Sequence, residues 1–105
     1  MELADFRDSL SRTAPPDGLD SLLRALWHDA KGNWNLAHEI VQREEGRGAA
    51  WVHAYLHRKE GDLSNAGYWY RHAGKSVCKT SLEEEWEAMA AALLQAVSRS
   101  QSDRP

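Results

Sequence analysis

The sequence predicts an all-α domain, and three observations lead there. Apolar residues recur at spacings of three and four along successive segments. Glycine-centred breaks, each followed by a residue able to cap a helix, separate those segments. No stretch alternates apolar and polar residues over the length of a strand.

The first segment, Met1 to Arg12, places Leu3, Phe6 and Leu10 at helical spacing, and Pro15-Pro16-Asp17-Gly18 then breaks the helix. A second stripe runs through Leu19, Leu22, Leu23, Leu26 and Trp27 to Gly32, with Asn33 placed to cap the next helix. Trp34, Ala37, Ile40 and Val41 form the third stripe, which ends in the charged run Arg43 to Gly48. Trp51, Val52, Tyr55 and Leu56 mark a further helix up to Gly61. After the cap at Asp62, Leu63, Ala66, Trp69, Tyr70 and Ala73 mark another, up to Gly74. The S-x-x-E pair Ser81 and Glu84 opens the last and most regular helix, with Leu82, Trp86, Met89, Ala90, Leu93, Leu94 and Val97 on one face. The expected organisation is a helical arm and Pro-rich linker over 1–18 and a single domain over 19–97. That domain is built from units 19–45 and 48–74 with a covering helix 81–97, and residues 98–105 are expected to form a disordered polar tail.

At 42% hydrophobic and 28% charged residues, the 105-residue chain has the balance of one compact globular domain. Five of its nine aromatic residues are Trp, and each Trp brings a large apolar area plus one N–H that needs a partner. A net charge of −3 argues against a nucleic-acid surface, which needs clustered cations to replace phosphate counterions. Apolar runs such as Ala88 to Leu94 are too short to cross a bilayer, so no membrane association is expected. The single Cys78 and the absence of a basic-apolar leader at Met1 point to a cytoplasmic setting.

Shifting the chain against itself by about 29 residues aligns Ala25, His28, Gly32 and Ala37 with Ala54, His57, Gly61 and Ala66. Trp34 then faces Leu63 and Asn33 faces Asp62, so turn, cap and first apolar residue recur together. In the second unit, Ala54, Gly61, Asp62, Leu63, Ala66, Tyr70 and Ala73 fit the pattern of the tetratricopeptide repeat, which this unit resembles. The first unit fits it less closely, with Val41 in place of the aromatic and Glu44 in place of the last alanine. The whole chain also looks like small uncharacterised bacterial proteins with such a core. The resemblance implies a TPR-like right-handed stack of two helical hairpins, with the helix 81–97 closing one end and Leu3, Phe6 and Leu10 the other.

That resemblance also implies a concave face lined by the first helix of each unit, with Trp51, Tyr55, Arg58 and Lys59 in the second and Leu22, Leu26 and Asp29 in the first. Two aromatics and two cations suit a protein or peptide ligand bearing an acidic or C-terminal carboxylate group. The expected function is therefore a non-catalytic interaction module. Alternatively, Trp51 and Tyr55 pack under the N-terminal segment, or the concave face is a homodimer interface.

A second alternative is a small metal-binding protein or metalloenzyme. His53 and His57 lie four apart on one helical face, a spacing used by zinc ligands, and His28 is the repeat-mate of His57. His28 is the third ligand this reading names, with His38, Glu39 and His72 as other ways to complete the sphere. The plainer account of His57 is a hydrogen-bonded core histidine, and with that account no cofactor is expected. His38-Glu39 begins like a zinc-peptidase motif, but Gln42 stands where the second histidine is needed. Cys78 between Lys75 and Lys79 has no partner base in the sequence, and no phosphate-cradling glycine loop is present.

Overall fold

The computed structural model describes residues 1–102, with side chains through Val97. The described residues form six α-helices and no strand: α1 (Leu3–Asp8), α2 (Ser21–Ala30), α3 (Trp34–Gln42), α4 (Arg47–Glu60), α5 (Leu63–Ala73) and α6 (Leu82–Ser102), with one 3₁₀ turn at Ser9–Ser11. The last helix thus continues past its expected end at Val97, and of the expected tail, 103–105 lie outside the described residues.

Helices α2 and α3 form one hairpin and α4 and α5 another, and the same chemistry makes both turns. Gly32 and Gly61 sit at φ 89° and 90°, a left-handed backbone conformation that a Cβ disfavours. The next residue donates its N–H back to His28 O in the first turn and to His57 O in the second, each at 2.9 Å. That residue's side chain then caps the following helix: Asn33 Oδ1 accepts from Leu36 N and Asp62 Oδ1 from Asn65 N, both at 3.2 Å.

Helix α4 is the centre of the molecule. Every residue from Val52 to His57 is buried, and a helix enclosed on all sides must have partners on all sides. Helices α3 and α5 take one side, while α2 and α6 take the other. The main core gathers Leu23, Leu26 and Trp27 from α2, Val52, Tyr55 and Leu56 from α4, and Trp86, Met89, Ala90 and Leu94 from α6.

Three placements differ from expectation. The N-terminal segment joins α6 instead of closing the opposite end, with Phe6 fully buried and stacked on Trp86 at 5.6 Å. Ser9 Oγ accepts from Trp27 Nε1 at 3.2 Å, which fixes the 3₁₀ turn against α2. The sequence places Trp69 against the last helix near Trp86; in the structure it stacks on His53 instead, with ring centroids 4.0 Å apart. Leu63 is 67% exposed, whereas its repeat-mate Trp34 reaches α4 and donates from Nε1 to Leu56 O at 2.7 Å. The reason is topological: a hairpin comes after α3 and covers Trp34, but after α5 the chain crosses to the far side of α4.

Candidate metal centre

The two faces of α4 carry the two sets of residues singled out in the sequence. Trp51, Tyr55, Arg58 and Lys59 turn toward α2 and α6, and their polar atoms are engaged by carboxylates of the chain itself. Glu85, 2% exposed on α6, accepts from Trp51 Nε1 at 3.0 Å, Arg58 Nη1 at 2.8 Å and Tyr70 OH at 2.7 and 2.8 Å. Arg58 also donates to Thr80 O. On the α2 side, buried Asp29 accepts from Tyr55 OH at 3.2 Å and from Lys59 Nζ at 3.0 Å. Burial and Asp29 push the Tyr55 hydroxyl above its ordinary pKa, and burial and Glu85 do the same to Tyr70, so both phenols remain donors. The polar atoms of these four residues are thus already paired within the chain, and a peptide carboxylate would have to compete with Glu85 or Asp29 for them.

The opposite face of α4 holds the histidines. His53 and His57 stack at 4.9 Å, as their four-residue spacing on a helix requires. His38 of α3 meets both: its Nε2 is 3.1 Å from His53 Nε2, and its ring lies edge-on to His57 at 5.2 Å. One nitrogen from each of the three lies within 4.8 Å of the others. Two ligand nitrogens on a tetrahedral zinc, each about 2.0–2.1 Å from the ion, lie roughly 3.3 Å apart. The His38–His53 pair already has nearly that separation, and His57 offers a nitrogen within 4.8 Å of both.

The surroundings hold these rings in place and keep His38 and His53 uncharged. Trp34 stacks on His38 at 5.0 Å and 6°, and Trp69 stacks on His53 at 4.0 Å and 13°, so an indole backs each outer imidazole. Glu60 Oε2 lies 2.6 Å from His57 Nδ1, which selects the tautomer whose Nε2 is an acceptor. That Nε2 is met by Asn65 Nδ2 at 3.3 Å. Burial, with His38 and His57 adding to it, lowers the pKa of His53 to about 4. Burial and His57 lower that of His38, against an opposing pull from Glu60. At neutral pH both rings are neutral and have lone pairs to donate.

His28 does not join this group. It lies edge-on to Trp27 at 5.2 Å, where burial and the nearby Arg24 lower its pKa. Repeat symmetry explains the separation: equivalent positions in stacked hairpins are displaced by about one helix-packing distance, 8–10 Å, which is too far to share an ion. The third imidazole comes instead from α3, the helix that packs between the two turns. Glu39 is exposed, and His72 lies against Tyr68 and Trp69. Sequence reading had no signal for Glu60, Asn65, Trp34 or Trp69 as the surroundings of these rings.

Because His53 has a folded-state pKa below the ordinary 6.5, its neutral form favours the fold. That contribution is complete above pH 6.5 and is lost as pH falls from 6.5 toward 4. Urea denaturation is expected to show a loss of the order of 2 kcal/mol over that interval. His53→Gln should flatten the slope.

Compared with known proteins, the chain matches no family model, no curated protein and no solved structure. Among the described residues no helix is long and apolar enough to cross a membrane.

Proposed function

We propose that this chain is a small metal-binding protein whose site is His38, His53 and His57. The observation that supports this reading is the convergence of three imidazole nitrogens within 4.8 Å, two of them already 3.1 Å apart. A triad of imidazoles suits zinc, and by the same chemistry cobalt, nickel or copper. Glu60, behind His57, has the carboxylate–histidine relation that orients ligands in metal sites. The scaffold is read as TPR-like, on the strength of the repeated turn and cap geometry at Gly32-Asn33 and Gly61-Asp62. In this reading α6 occupies the face that a peptide would use in such repeats.

Purified protein, stripped with chelator and dialysed against zinc, should take up about one ion per chain. Zinc should also raise Tm, because an ion that binds only the native state stabilises it by mass action. No uptake, with Tm indifferent to both zinc and chelator, would overturn the reading.

A further inference from the structure

We infer that Asn65 competes with the ion: in the metal-free protein its amide holds the His57 lone pair that an ion needs, so loading displaces it and Asn65 sets the affinity of the site. This rests on the metal reading above and deepens it by naming the residue that opposes loading.

Both ring nitrogens of buried His57 are engaged within the chain, Nδ1 with Glu60 Oε2 at 2.6 Å and Nε2 with Asn65 Nδ2 at 3.3 Å. A carboxylate only accepts, so Glu60 keeps the proton on Nδ1 and leaves Nε2 as the nitrogen available to an ion. That nitrogen has one lone pair, in the plane of the ring, and it serves either an N–H donor or a metal. An ion about 2.0–2.1 Å from Nε2 takes the direction along which the amide hydrogen now approaches. The two exclude each other.

The other two imidazoles carry no such competitor. His38 Nε2 and His53 Nε2 meet each other at 3.1 Å, and among the described residues neither ring has another side-chain hydrogen bond. Asn65 is therefore the one group outside the triad, among the described residues, that has to yield a ligand nitrogen. Its position lets it do so. Asn65 is half-buried in the first turn of α5, and the helix cap there runs through its backbone, whose N–H donates to Asp62 Oδ1 at 3.2 Å. Turning the side chain away leaves that cap intact. The 2.6 Å contact to Glu60 is the shorter of the two on His57, so the longer one to Asn65 is the one that gives way.

The test is Asn65→Ala in the full chain, with zinc affinity read by chelator competition and Tm measured metal-free and zinc-saturated. Zinc affinity should rise roughly three- to tenfold, the net worth of one hydrogen bond no longer lost on loading. The metal-free Tm should fall, because His57 Nε2 loses its donor, while the zinc-saturated Tm should match the wild type, where that contact is already broken. A residue that only supported the fold or the ligands would not tighten binding when removed. Ser64→Ala, exposed in the same turn, controls for helix propensity and should leave affinity unchanged. Unchanged or weakened zinc binding in Asn65→Ala would overturn the inference and leave the metal site standing; the weakened case would make Asn65 a support of the ion. No zinc uptake by the wild type would overturn both.

Discussion

Glu85→Ala is expected to destabilise the fold by about 3–5 kcal/mol, the cost of breaking a buried ion pair from one side. Glu85 is 2% exposed, and its two oxygens receive Arg58, Trp51 and Tyr70 together. Truncation would leave the Arg58 guanidinium, 17% exposed, without its carboxylate, and two further donors without acceptors. Glu85→Gln keeps an acceptor for the indole and the phenol but not the charge, so its loss should be smaller. Asp29→Ala should also cost less than Glu85→Ala in the charge it uncovers, because Lys59 is 37% exposed and can turn to water. Urea midpoints with unchanged m-values would measure the series. Glu85 lies across α4 from the histidines, so the folded fraction of Glu85→Gln should bind zinc as the wild type does.

The second large effect concerns the ion. Changing any one of His38, His53 or His57 to Gln should weaken zinc binding at least about a hundredfold, more than changes to the groups that orient a ligand from behind, which cost about 10–100-fold. Glu60→Gln belongs to that milder group, since it loosens the orientation of His57 without removing a donor. His28→Gln and His72→Gln serve as controls and should leave affinity unchanged. Competition against a chromophoric chelator would read all six variants. Equal affinity in the wild type and the three ligand variants would place zinc elsewhere.

Sequence spacing reveals some of these features and hides others. Helix positions were legible because the apolar stripes, the glycine turns and the caps at Asn33, Asp62 and Ser81 are local features; Ser81 Oγ does accept from Glu84 N at 3.0 Å. The pairing of His53 with His57 was legible for the same reason, being set by the pitch of one helix. The third histidine was not, because choosing His38 over His28 depends on how α3 packs across α4. Repeat symmetry favoured His28, yet symmetry places equivalents apart.

Glu85 was hidden for a different reason. An acid in the first turn of a helix already has a local explanation in the helix dipole, so nothing marks it as buried. Its role depends on α6 lying over α2 and α4, a long-range contact. The pattern of Trp51, Tyr55, Arg58 and Lys59 suggests a taste for carboxylates, and the carboxylates they meet are Glu85 and Asp29. Leu63 shows the same limit, since its exposure depends on where the chain goes after α5.

The central claim is that three imidazoles share one ion, and X-ray absorption at the zinc edge of the loaded protein tests it most directly. The predicted result is three imidazole nitrogens at about 2.0–2.1 Å with their outer-shell ring scattering, and one further light atom in the fourth place. A sulfur scatterer at about 2.3 Å, which would bring in Cys78, or an oxygen shell without imidazole, would contradict it.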